Sequence, residues 1–119
     1  MSDNIFWVLE AAIKEDELGN FKSLMKEMVN ATKANEPDAI NYEFFISEDG
    51  KSCHIYERYN DSAAVMTHLG TFGQKFTDRF MATVKPVRFT VYGNPSDEVK
   101  KALGSMGAVF LAPSAGFAR

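Results

Sequence analysis

The segment Ile40 to Tyr59 holds two strand-like runs, Ile40 to Ser47 and Cys53 to Tyr59, joined by Ser47-Glu48-Asp49-Gly50. An Asp-Gly pair between two alternating runs is a strong local signal for an antiparallel hairpin. A two-residue Asp49-Gly50 loop sets Ile46 opposite Cys53, Phe44 opposite Ile55, Tyr42 opposite Glu57 and Ile40 opposite Tyr59. The other face then collects Asn41, Glu43 and Phe45 against Arg58, Tyr56 and His54, and a one-residue slip would mix the two sets. The pair Tyr-Glu occurs twice here, and this register separates its two glutamates: Glu43 joins the polar face and Glu57 the apolar one.

The flanks fix what the hairpin belongs to. Ile5 to Lys14 reads as a strand, and from Asp16, a candidate N-cap, Leu18, Phe21, Leu24, Met25 and Met28 recur at helical spacing to about Ala34. Glu36-Pro37 breaks that helix. After the hairpin, Asp61 or Asn60 caps a helix from Ser62 to Leu69 that pauses at Gly70 to Gly73, resumes with Phe76, Phe80 and Val84, and ends at Pro86. Val87 to Tyr92 alternates strictly as a fourth strand. The order β-α-β-β-α-β predicts an α+β, ferredoxin-like domain over residues 1–95, with an antiparallel sheet in the order 4-1-3-2 and both helices on one face. Residues 96–119 open with a short helix capped by Ser96 and continue as a tail that packs on the core or on a partner subunit.

A chain of 119 residues, 45% hydrophobic, suits one well-cored domain. Thirteen basic and 16 acidic residues give a formal net charge of −3, which steers the chain toward neither nucleic acid nor an anionic membrane. The third strand also lacks the basic-glycine-aromatic run with which RNA-recognition folds stack on bases. No stretch has the form of a signal peptide or the length of a membrane span, so the expected compartment is the cytoplasm. The lone Cys53 reads as a buried small hydrophobe. His54 and His68 fall on opposite sides of the sheet, so no metal site is expected from them.

By parity, Ile5, Trp7, Leu9, Ala11 and Ile13 of the first strand face the core with Val87, Phe89 and Val91 of the last. Across the opposite face, Arg88, Glu10, Arg58 and Glu43 form a ladder of alternating charge. With Tyr56, Phe45 and Tyr92 beside it, that face is expected to be covered by a second copy in a homodimer. On the helix side Glu57 is the anomaly, a carboxylate among aromatic residues whose burial raises its pKa unless a donor reaches it. The candidate donors are the Tyr42 hydroxyl, the Trp7 indole and His68. His68, beside the buried stripe of the second helix, reads either as a general base or as a boundary residue bonded to a backbone carbonyl.

The runs INYEFF, HIYERY and SAAVMTHLGTFGQKF resemble the antibiotic biosynthesis monooxygenase family, with its Tyr-Glu on the second strand, aromatic-Glu on the third and His-Leu near the end of the following helix. The match covers roughly Ile5 to Gly93. The resemblance implies a dimeric α+β barrel with a pocket between sheet and helices in each subunit, and cofactor-free oxidation of a small aromatic or quinol-type substrate by molecular oxygen. His68 and Glu57 are the implied catalytic residues, and Trp7, Tyr42, Phe44, Phe72 and Phe76 the implied pocket. The GTFGQKF segment has no second His, and the residues beyond His68 lack the pattern of the haem-degrading members. The alternative is a non-catalytic ligand-binding or structural dimer of the same fold.

Overall fold

A computed structural model describes residues 2–119. Its elements are β1 (Ile5–Ile13), α1 (Leu18–Asn35), β2 (Ala39–Ile46), β3 (Ser52–Tyr59), α2 (Ser62–Lys75), α3 (Thr77–Thr83), β4 (Val84–Tyr92), α4 (Asp97–Gly104) and β5 (Val109–Leu111). The sheet order is β2-β3-β1-β4-β5. Its first four strands are antiparallel and carry the 4-1-3-2 order of a ferredoxin-like fold, while β5 adds a short parallel strand on the β4 edge. The tail residues thus extend the sheet. No helix among the described residues is long and apolar enough to cross a membrane.

The hairpin register agrees with the sequence reading at Tyr42↔Glu57, Phe44↔Ile55 and Ile46↔Cys53. The turn itself is longer than two residues. Ser47 N–H bonds to Ser52 O at 3.0 Å, and Gly50, at φ +73°, donates back to Ser47 O. Glu48 and Lys51 leave the ladder symmetrically, one on each side of Asp49-Gly50, so the pairing register is unchanged. The pairing of Ile40 with Tyr59 is not found: the register shifts between Ala39 and Asn41, Ala39 takes the place opposite Tyr59, and Ile40 is left exposed.

Three other expectations are corrected. Pro86 does not end a helix but lies within β4 opposite Ala11, where the register shifts, and Val87 is pushed out to 70% exposure instead of joining the core. A bulge is where a strand can hold a residue with no N–H. Helix α2 runs through Gly70 and Gly73 without a pause and breaks only at Phe76 (φ −125°, ψ −17°). Asp16 takes a left-handed conformation (φ 63°) instead of capping α1, and Glu17 occupies the cap position without a side-chain bond. The Asp61 and Ser96 caps form as read, accepting from Ala64 N–H and Val99 N–H.

The core divides in two. Ile5, Trp7, Tyr59, Val65, Val91, Val99 and Leu103 form one group, in which α4 packs over the sheet end near β5. Ala11, Phe21, Leu24, Met28, Cys53, Ile55, Phe80 and Val84 form the other, beneath α1 and α3. Leu9 touches both groups. Burial pushes the Cys53 thiol up to about 11, so it stays protonated as a packing residue.

Candidate active site

Between the two core groups lies a cavity of about 380 Å³. Trp7, Leu9, Ile55 and Phe89 form its sheet floor, Leu69, Phe72 and Phe80 its helical roof, and Leu103 and Met106 close it from the C-terminal extension. Pro86 also faces it, so the β4 bulge shapes one wall. Its polar wall is made by Tyr42, Glu57 and His68, with Thr77 elsewhere on the lining. No lysine or arginine lines it.

The polar wall rests on a buried chain of ionisable groups. His68 Nε2 lies 3.2 Å from Glu57 Oε1, and His68 Nδ1 lies 3.1 Å from Oε1 of Glu36. Each of these three residues is about 5–6% exposed. Glu57 is further held by the Trp7 indole, which donates Nε1–H to Oε2 at 2.8 Å, and by the Tyr59 hydroxyl, which donates to Oε1 at 2.6 Å. The register explains the convergence: Trp7 is the β1 partner of Glu57, Tyr42 its β2 partner and Tyr59 lies two residues on along the same face of β3, so three aromatic strand positions surround one carboxylate.

Both nitrogens of His68 face carboxylates, so a neutral ring would set one lone pair against an acceptor. The doubly protonated ring satisfies both. Burial alone would lower the His68 pKa, but the bonds to Glu36 and Glu57 and the charges of both outweigh it and push the imidazole up to about 9. Of the two sequence readings of His68, the backbone-carbonyl bond is replaced by this carboxylate clamp. At neutral pH the ring is an acid and a counter-charge, and Glu57 Oε2 accepts, among the described residues, only from Trp7. Tyr42, edge-on to His68 with ring centroids 5.3 Å apart, is raised well above the ordinary phenol range by burial and by the charges of Glu57 and Glu36. Its hydroxyl therefore stays protonated as a donor, and makes no hydrogen bond with another described residue.

Of the residues expected in the pocket, Trp7, Tyr42 and Phe72 line the cavity with Glu57 and His68. Phe44 and Phe76 do not. Phe44 lies farther along β2 beneath α1, packed on Phe21 and Tyr42, and Phe76 falls at the break after an uninterrupted α2 and packs on the second core group. The charge ladder is also corrected. Glu10 and Arg88 are cross-strand partners 3.9 Å apart, but the β3 neighbour of Glu10 is His54, at 3.5 Å. Arg58 lies four residues away along β3, over the Phe6 ring and bonded to Asn4, and Glu43 accepts from Asn41.

Glu36 is the site residue that sequence reasoning passed over, treating Glu36-Pro37 only as a helix stop. The following proline keeps Glu36 out of helical conformation (φ −127°, ψ 79°), and its side chain reaches His68 beneath α2. The cue was a carboxylate at the carbonyl end of a helix, a placement that the helix dipole disfavours. Among the described residues no group of three His, Cys, Asp or Glu side chains is arranged to hold a metal ion, and the two carboxylates of the clamp are engaged by opposite edges of one imidazole.

No family model matches the chain, and no curated protein matches it in sequence. Solved structures do. MupZ from Pseudomonas fluorescens superposes with a TM-score of 0.87 at 23% identity, over all of this chain and 91% of that one, so its likeness includes the C-terminal extension. A protein described as a candidate antibiotic biosynthesis monooxygenase from Nitrosomonas europaea gives 0.69 at 18% identity over 79% of this chain and 92% of that one. Another so described, from Caulobacter crescentus CB15, gives 0.68 at 20% identity over 76% and 88%. The chain has the fold of these antibiotic biosynthesis monooxygenase-type proteins.

Proposed function

We propose that the chain is a cytoplasmic, homodimeric monooxygenase that needs no cofactor and acts with molecular oxygen on a small aromatic or quinol-type compound. One observation carries the reading: a carboxylate backed by a buried imidazolium forms the polar wall of an otherwise apolar cavity. An electron-rich ring fits the apolar walls, and because no lysine or arginine lines the cavity and the His68 charge is matched by Glu36 and Glu57, a neutral ligand is favoured over an anion. In this reading Glu57 Oε2 takes the proton of a substrate hydroxyl, and the Tyr42 hydroxyl donates to the oxyanion left behind. The anion then supplies electrons to oxygen. One oxygen atom enters the ring, turning a C–H into a C–OH while the two quinol hydroxyls become carbonyls, and the other leaves as water with the two hydroxyl hydrogens, so that the four electrons oxygen needs all come from the substrate. His68 stays protonated and holds the Glu57 side chain through Nε2.

The fold likeness to candidate monooxygenases supports the same class. The test is oxygen consumption with a panel of hydroquinones, comparing wild type with Glu57→Gln and His68→Ala. Consumption lost in both variants is expected; none with any compound, or consumption indifferent to both substitutions, defeats the reading. A second reading, an isomerase or lyase, is favoured by the clamp itself, because an acid and a base on one wall can move protons without oxygen. Substrate conversion under anaerobic conditions selects it. Tight binding with no conversion in either atmosphere selects a binding protein.

A further inference from the structure

We propose that Glu36 is a positioning residue of this site, holding His68 through Nδ1 so that the ring stays doubly protonated and Glu57 is left as the group that exchanges a proton with a ligand. The inference rests on reading the cavity as the site of chemistry, but its geometry is independent of which reaction occurs there. Glu36 is not on the cavity lining, so it acts only through His68. Its two oxygens lie 3.1 and 3.4 Å from Nδ1, which places the whole carboxylate across one ring edge.

The position is costly without a cation. Glu36 is buried, at the carbonyl end of α1, and held there by its own backbone: its N–H donates to Thr32 O and its carbonyl accepts from Ala39 N–H. A buried carboxylate at the negative end of a helix, with a second buried carboxylate across the ring, is compensated, among the described residues, by the His68 ring alone. The groups that face His68 from the packed elements are Glu36 at the end of α1, Tyr42 on β2, and Glu57 and Tyr59 on β3. Both tyrosines are held protonated, so the two carboxylates set its state. With Glu36 present, the resting site holds a fixed proton on Nδ1. Without it, the neutral ring with hydrogen on Nε2 still serves Glu57, and the wall loses its acid.

Nitrogen-15 NMR of the His68 imidazole tests this without any substrate, with His54→Gln used to assign the two histidines. Wild type is expected to show both ring nitrogens protonated at pH 7. In Glu36→Gln the amide can donate to Nδ1, so the fold is retained while the midpoint of His68 falls by about one pH unit or more. Glu36→Asp, which keeps the charge on a shorter arm, is expected to fall less, and serves as the test if the glutamine variant does not fold. A neutral wild-type ring at pH 7, or a midpoint that neither variant moves, overturns the proposal. If wild type consumes no oxygen with any hydroquinone, the functional reading fails while the NMR result still decides the role of Glu36. If it does turn over, the alkaline limb of kcat/KM shifts down with the NMR midpoint in Glu36→Gln and is largely restored in Glu36→Asp; a limb that stays in place overturns the proposal.

Discussion

The Trp7 indole donates to Glu57 Oε2 at 2.8 Å across a cross-strand pair, so the β1–β3 register itself aims the buried carboxylate. Trp7→Phe keeps a ring against Tyr59 and Phe89 and removes the donor. A buried carboxylate short of one donor destabilises the fold by about 2–4 kcal/mol, combining a lost bond to a charged group with lost ring volume. Urea unfolding at pH 7 measures this. A loss below about 1 kcal/mol would show that water replaces the indole and that the cavity wall is wet.

His68 ties stability to alkaline pH. Its folded-state pKa of about 9 lies above the ordinary 6.5, so the folded chain binds the proton more tightly than the unfolded chain does. The resulting stabilisation is complete below about pH 6.5 and is lost as pH rises through about 9. The full span corresponds to about 3 kcal/mol at most. Denaturant midpoints taken between pH 6 and 10 are expected to fall through that window in wild type and to fall less in His68→Gln. Equal slopes in the two proteins would place the titration elsewhere.

The strand pattern was legible because the alternation of apolar and polar residues allows one register about the Asp49-Gly50 centre. Tyr42↔Glu57 held although the hairpin loop proved longer than Asp49-Gly50, since the loop widens by one residue on each side of the same centre. One-residue irregularities were not legible. The bulges at Ile40 and Val87 each turned a predicted core residue outward, and no local residue type announces them except Pro86 in hindsight. Gly70 and Gly73 misled for a related reason: glycine weakens a helix by about 1 kcal/mol each, which packing against the sheet outweighs. Glu57 and His68 stood out as polar residues on apolar stripes. Glu36 did not, because its role depends on a fold-level approach of the α1 end to α2 that spacing along the chain does not encode.

Gly93 marks where β4 passes the start of β1. At φ +117° its added Cβ would meet the Asn4 carbonyl oxygen at 2.7 Å, and backbone cannot yield there as a flexible side chain can. Gly93 N–H also bonds to Leu111 O, so the same residue anchors the end of β5. Gly93→Ala is expected to cost more than about 2 kcal/mol, from left-handed strain together with the collision. Thermal melts of wild type and variant decide it, and a variant as stable as wild type would show that this crossing is looser than its geometry.

The helix-free face of the sheet bears on assembly. Phe6 stacks on Tyr92 at 5.3 Å, Phe45 is 55% exposed, and Glu10 lies between His54 and Arg88. If a second copy covers this face, a charge at Phe45 is intolerable there and harmless in a monomer. Arg58 is a poorer probe, because it is tied to Asn4 and Phe6 of its own chain and its reversal would disturb the fold as well. Phe45→Glu is therefore expected to give a monomer by sedimentation with an unchanged circular dichroism spectrum, from a wild-type dimer. An isologous dimer through this face would hold Phe45 at the interface twice, so one substitution would introduce two buried charges and shift the association strongly. A variant that remains dimeric would remove the helix-free face from the interface and leave the exposed tail around Phe117 as the surface to test next.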